Sequence, residues 1–401
     1  MSSLTTSRHA WSLVIAAGTV MGLALGIRHA QGLFLQPISL DLHWPTTSFA
    51  FAIAVQNLVW GLTQPAIGML ADRLGAEKVV IGGMVLYGAG MFLMAGSNNE
   101  ETFVWANVIV GVALSGTAFG TVFTALSRLV SADMQSWTMS TAGAIAGIIQ
   151  FCIAPATQAL LDHLPWTTVC MASAIVMVCI APTALLMRGA GASGTSEPQD
   201  SSTGIGQALR HPSFWLLNVG FLACGFQLAF IAAHLPSYLV ERGLTAHQGA
   251  TAIACIALAN VLGMYLAGRT IGVFRSKNVL AGIYLLRVVA TLMFVNAPIS
   301  AAGTYLFALI MGLTWLATAP LTNNIVVSMF GVGNIGALFG IVFFSHQLGS
   351  FLGVWLGGEA FDIYRSYAPV WNIAIVIGLL SAALHVRIND VRVMREPQFQ
   401  S

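Results

Sequence analysis

The chain has 401 residues, of which 57% are hydrophobic and only 7% charged. Soluble proteins carry about 25% charged residues, so this composition excludes a water-facing globule and makes lipid the expected solvent. A formal net charge of +2 without any basic cluster gives no reason to expect a nucleic-acid partner.

A membrane-spanning helix needs about 20 predominantly apolar residues. Runs of that kind stand at 11–36, 48–71, 78–96, 102–126, 138–161 and 166–187. A second set follows at 214–239, 247–268, 278–297, 301–327, 335–358 and 367–387. The polar stretch 188–212, rich in Gly and Ser, reads as a linker between them. The expected fold is an all-α membrane protein of twelve transmembrane helices. It comprises an N-terminal six-helix bundle over 1–187, a cytoplasmic linker over 188–212 and a C-terminal six-helix bundle over 213–401.

Charge placement supports this map. Of the sixteen Lys and Arg residues, twelve fall in the tails and loops of one face, and only Arg242 and Arg365 in the loops of the other. The positive-inside rule makes the first face, with both termini, cytoplasmic. The remaining two, Arg28 and Arg287, fall inside spans, whereas no Asp or Glu lies well inside one. Arg8 precedes a long apolar run without a distinct small-residue cleavage site, so no cleavable signal is expected. The five cysteines all lie in apolar runs and read as small buried hydrophobes, not a disulfide framework or metal site. The sequence has no paired carboxylates, zinc-ligand spacing or nucleophile elbow, so neither an enzyme nor a cofactor is expected.

Between spans two and three stands GMLADRLGAEK, Gly68 to Lys78. It resembles the signature loop of the major facilitator superfamily, matching at Gly68, Asp72, Arg73, Gly75 and Lys78 and departing at Glu77. The resemblance implies a conformational latch, with Gly68 permitting close helix packing, Asp72 set against a neighbouring helix N-terminus and Gly75 making the turn. The loop between spans eight and nine repeats the pattern weakly: Arg269 corresponds to Arg73, and Gly268 replaces the aspartate. Such a degenerate repeat implies two pseudo-symmetric halves. GIRHAQGLFLQPISLDLHW, YLLR (Tyr284 to Arg287) and FFSHQLGSFLGVWLGG (Phe343 to Gly358) further resemble bacterial relatives of the monocarboxylate carriers and oxalate/formate exchangers. In those families, cations in spans eight and eleven hold the substrate carboxylate. Here span eleven offers His346, and span eight offers only Asn260.

In this fold class spans one, four, seven and ten line a central cavity. An arginine at the bilayer centre costs about 2.5–3.5 kcal/mol on insertion scales. Arg28 either faces water in the cavity, where it would bind a substrate carboxylate as a two-pronged donor, or snorkels to the outer headgroups. Arg287, central in span nine, is either a structural group bonded to Asn260 or to carbonyls, or a substrate contact. His346 is a candidate substrate or proton site, with His29 and His234 weaker ones. Gln227 and Asn323, on presumed cavity helices, are expected to hydrogen-bond the substrate. Thr117, Thr121 and Thr124 share one face of span four. The expected function is a secondary active transporter for a small organic anion, a monocarboxylate, acting as a monomer in a bacterial inner membrane by alternating access with protons as a candidate co-substrate. Export of hydrophobic neutral or cationic compounds, anion exchange and facilitated diffusion are the alternatives.

Overall fold

The computed structural model describes residues 2–188, 205–331 and 335–391, except for the side chains of residues 2–9, 132, 133 and 136. Residues 189–204 of the linker, Arg392, Arg395 and the side chain of Arg8 therefore lie outside the described part.

The described chain is almost wholly helical, as hydrocarbon demands: every backbone polar group there must find its partner inside the protein. Span one comprises α1 (Ser2–Ala30), a 3-10 turn (Gln31–Phe34) and α2 (Leu35–Leu42). Spans two and three are α3 (Thr46–Leu74) and α4 (Ala76–Ala95). Span four is broken into α5 (Glu100–Thr117) and α6 (Phe119–Leu129). Span five is α7 (Ala132–Leu161), and span six is α8 (Trp166–Ile180) with a 3-10 segment (Ala181–Met187). The linker holds the short helix α9 (Ile205–Arg210). Spans seven to nine are α10 (Pro212–Glu241), α11 (Ala246–Thr270) and α12 (Ser276–Asn296). Span ten is broken into α13 (Ala301–Thr314) and α14 (Thr318–Phe330), and α15 (Ile335–Tyr364) and α16 (Ala368–Arg387) complete the set.

Eleven of the twelve spans are long and apolar enough to cross a membrane by composition. The exception is α3, 29 residues long. Gln56, Asn57 and Gln64 dilute its hydropathy, and Gln56 and Asn57 are buried against protein. Helix starts carry recognisable caps. The Asn99 side chain accepts from the Thr102 N–H at the start of α5, and Thr245 with Gln248 forms a capping box on α11. Between α3 and α4 the chain turns at Gly75, whose φ of 98° suits glycine.

The buried apolar residues form two large clusters, one for each six-helix bundle. One is drawn from Leu13 to Met187 and also takes in Ala229, Ala233 and Val354. The other runs from Ala208 to Ile388 and takes in Ala30, Leu33 and Ala154. Small residues set the helix spacing within each bundle. Gly18, Gly22 and Gly26 form one row on α1, facing Ile145, Ile149 and Ile153 of α7. A methyl added at these glycines would stand 2.7, 2.7 and 2.9 Å from those side chains. In the second bundle Gly225 of α10 meets the His346 carbonyl of α15, and Gly349 and Gly353 of α15 meet the Leu222 and Phe226 carbonyls. These are the small-residue contacts by which helices associate in lipid.

The bundles meet along α3 against α15 and α7 against α11. At the end of the molecule expected to lie outside, Asp362 of α15 accepts from the backbone N–H groups of Thr46 (3.1 Å) and Thr47 (2.7 Å) at the start of α3. A carboxylate is favoured at a helix N-terminus. The equivalent helix pair carries Asp162, just past α7, with its Oδ2 2.6 Å from His247 Nε2 in the first turn of α11. Both bundles are thus tied together at this end.

Candidate functional site

Arg28 sits two residues before the end of α1, where span one changes to a 3-10 turn. Its guanidinium stays inside the molecule. It donates to Asn57 Oδ1 of α3 and lies 5.2 Å from the Trp60 ring centroid, a cation–π distance. Asn57 is held in turn by its own amide, which donates to the Ile53 carbonyl at 2.9 Å. Arg28, Gln31, Gly32, Ile53 and Asn57 of the first bundle and Ala229, Ala232, Ala233 and Val354 of the second enclose a cavity of about 10 Å³. That is about the room for one water. Gln31 is 2% exposed, and neither its Oε1 nor its Nε2 has a hydrogen-bond partner. A buried amide without partners is costly.

His29, one residue on, points elsewhere, because successive helical residues are about 100° apart. Its Nδ1 lies 3.2 Å from Gln150 Oε1 of α7, and its ring meets Trp315 edge-on at 6.0 Å. Both border a second cavity, also of about 10 Å³, walled by Ala232, Ile253, Ile256, Ala257 and Asn260. Ala232 borders both cavities. Gly32 lets span one approach span seven here: a methyl on it would stand 2.3 Å from the Ala232 carbonyl.

Trp315 occupies the break in span ten, where a helix end leaves carbonyls without intrahelical partners. Arg287 fills that need. It is fully buried (0% exposed) and donates to Thr314 Oγ1 at 3.1 Å, to the Trp315 carbonyl at 3.0 Å and to the Thr314 carbonyl. It also donates to Cys224 Sγ of α10 at 3.3 Å. A cation at a helix C-terminus complements the dipole as well. Asn260 supplies the opposite group: its Oδ1 accepts from the Leu316 N–H at 2.9 Å. So Arg287 is bonded to carbonyls, not to Asn260, and neither cavity is bordered by it. The break in span four is satisfied differently, with Thr121 donating to the Ser115 carbonyl at 2.6 Å and Gln64 at 3.3 Å.

The remaining candidates border neither cavity. Gln227 donates to the Ala374 carbonyl of span twelve at 2.9 Å. His346 packs against Phe221 and Phe343, with Nδ1 unpaired. Asn323 is partly buried in α14. His234 joins span seven to the Val354 carbonyl at 2.8 Å. Thr117, Thr121 and Thr124 all return their hydroxyls to carbonyls of span four. Gln31, Asn57 and Trp60 complete the surroundings of Arg28. Asn57 is a polar residue inside span two, but nothing in the sequence pairs it with Arg28.

In the loop between spans two and three, Asp72 does not sit on a helix N-terminus. Its Oδ1 is 2.7 Å from Arg128 Nη2, at the C-terminal end of α6. Arg73 and Lys78 are exposed, and no side chain crowds Gly68. In the corresponding loop Arg269 donates to Tyr265 of its own helix, at 2.8 and 3.2 Å.

Two sets of apolar helices meeting around two small cavities form a multi-pass membrane architecture. The family model of the Major Facilitator Superfamily matches residues 9–354, and the chain belongs to that family. It is therefore a multi-pass membrane transporter and not an enzyme. Among its relatives, an uncharacterized MFS-type transporter, YcxA, of Bacillus subtilis is 24% identical over 90% of each chain. Monocarboxylate transporter 13 of Bos taurus is 24% identical, covering 91% of this chain and 85% of that one. The 3-(3-hydroxy-phenyl)propionate transporter of Escherichia coli is 25% identical, covering 97% and 96%. A bacterial homolog of the human lysosomal transporter Spinster, solved in an inward-facing and occupied conformation, shares the fold. Its TM-score is 0.72 at 13% identity, over 96% of this chain and 98% of that one.

Proposed function

We propose that this transporter moves a small organic anion, a monocarboxylate, by rocking its two bundles about the Arg28 site. The observation that carries the reading is a guanidinium at the bundle interface with no carboxylate to balance it. Among the described residues bordering the two cavities there is no Asp or Glu. A fixed positive charge in a low-dielectric cleft attracts anions, and guanidinium matches a carboxylate as a two-pronged donor. Asn57 orients Arg28 in the closed state, and Gln31 offers the cargo a further hydrogen bond. Relatives named for monocarboxylate and hydroxyphenylpropionate transport support an acidic cargo.

On this reading the protein works as a monomer in a bacterial inner membrane, with both termini cytoplasmic. A proton moves with the cargo through a histidine or through the acid itself, since among the described residues no Asp or Glu borders either cavity. The loop residues Gly68, Asp72, Arg73, Gly75 and Lys78, with Arg269, act as the latch between conformations. The test is counterflow of a panel of labelled organic acids in proteoliposomes, with and without a pH gradient, for the native chain and Arg28→Gln. Acid uptake by the native protein and its loss in the folded variant are expected. Equal uptake by the variant would refute the role of Arg28.

A further inference from the structure

The two cavities differ in chemistry, and the difference bears on the cargo's size. The Arg28 cavity has the charged and amide groups: Arg28, Asn57 and the partnerless Gln31. The other is walled by Ala232, Ile253, Ile256, Ala257 and the Trp315 ring, with His29, Gln150 and Asn260 at its polar edge. They are neighbours: Ala232 is common to both walls, and the consecutive residues Arg28 and His29 border one cavity each. Both are bordered by both bundles, so the rocking motion proposed above would widen the two together.

Resting on the reading above, we infer that the cargo is an amphipathic monocarboxylate with a ring-sized apolar body, an arylalkanoate, and not a short hydroxy or keto acid. Its carboxylate meets Arg28 and the unpaired Gln31 amide. Its body lies against Ile253, Ile256, Ala257 and the Trp315 ring, and a polar substituent at the far end reaches the His29–Gln150 edge. A short acid would satisfy Arg28 but leave the apolar compartment in contact with water, which forfeits the hydrophobic contribution. Binding pockets of this kind use a few polar groups for orientation and apolar walls for affinity. Trp315 suits the role because Arg287 and Asn260 fix the backbone on either side of it.

The experiment measures competition by propionate, hexanoate, 3-phenylpropionate and the neutral 3-phenylpropanol against labelled 3-phenylpropionate, with direct counterflow of labelled propionate in parallel. The full-length native chain, Ala257→Phe and Ile256→Ala are compared. Apolar burial predicts roughly fourfold tighter binding per added methylene, so 3-phenylpropionate should exceed propionate by well over tenfold. Ala257→Phe, which fills the compartment, should weaken 3-phenylpropionate about tenfold and spare propionate. Ile256→Ala keeps the test alive if the larger residue prevents folding, and should lower the preference for the aryl acid. Propionate binding as well as 3-phenylpropionate, with selectivity unmoved by either variant, would overturn the inference and leave the carboxylate reading standing. Equal competition by 3-phenylpropanol would overturn the role of Arg28, and transport of no acid at all would overturn both.

Discussion

Arg287 and Asn260 hold the same break in span ten from opposite sides of hydrogen-bond chemistry. The guanidinium supplies donors to the Thr314 and Trp315 carbonyls, and the amide oxygen accepts from the Leu316 N–H. A helix interrupted in lipid must find such partners, and two spans of the second bundle provide them. Replacing Arg287 with Met should therefore act on stability before it acts on substrate. Each orphaned buried carbonyl costs about 1–3 kcal/mol. Thermal unfolding in detergent should show a clear loss for Arg287→Met and a smaller one for Asn260→Leu. Arg287→Lys should rescue little, because an ammonium cannot reproduce the fork. Native-like unfolding of Arg287→Met would mean that these bonds contribute nothing.

Asn57 offers a sharper test of the charge balance around Arg28. Asn57→Asp would place a carboxylate where the amide oxygen now accepts, giving Arg28 a permanent counter-ion. Anion uptake should then fall at least about tenfold, the equivalent of 1.4 kcal/mol, and further than in Asn57→Ala. Uptake by Asn57→Asp equal to the native rate would contradict an anion held by Arg28.

Close helix approach makes a second stability prediction. A methyl at Gly349 would stand 2.0 Å from the Leu222 carbonyl and one at Gly225 1.8 Å from the His346 carbonyl. Overpacking of this kind costs about 1–3 kcal/mol, so Gly349→Ala and Gly225→Ala should both unfold earlier on heating. Gly282 of α12 is the control, since nothing lies within 4 Å of its added methyl. Gly282→Ala should be neutral or stabilising by up to about 1 kcal/mol.

Asp362 caps α3 from across the bundle interface. Its conversion to Asn removes an anion from a helix N-terminus, worth about 0.3–1 kcal/mol. The outer end should open roughly two- to fivefold more often. In a cysteine-free background, Ile53→Cys, beside Arg28 in the cavity, should react correspondingly faster with a membrane-impermeant thiol reagent added outside. No acceleration would mean that Asp362 does not hold that end closed.

Asp390 lies just beyond α16, bonded to Arg275 and with Lys277 Nζ 3.9 Å away. Arg275 holds its carboxyl below the ordinary value. A depressed carboxyl contributes stability that is present above the unfolded-state pKa and is lost as pH falls through the folded one. Asp390→Asn should thus lower the melting temperature near neutral pH, and the gap should close in acid. The contribution is small because the partner Arg275 is exposed to solvent. A gap that widens in acid would reverse the assignment.

Much of the architecture was legible in the linear chain, because lipid imposes a simple rule. Apolar runs near 20 residues, a polar linker and the loop arginines were enough to expect twelve spans in two sets of six. The Asp72–Arg73 loop pointed to the family. Arg28 stood out for the same reason, since charge in an apolar run is costly. Tertiary structure alone decided which of two buried arginines borders a cavity. Both Arg28 and Arg287 sit in apolar surroundings in sequence, yet Arg28 meets one amide and a cavity, whereas Arg287 is consumed by the carbonyls of a broken helix. Nothing in the residues 301–327 announced that break, and no pattern in the sequence singled out Gln31. Helical periodicity specifies a face only relative to its own axis. Which face meets the partner bundle depends on how twelve helices pack, and that is set by contacts hundreds of residues apart, such as Gly32 against Ala232.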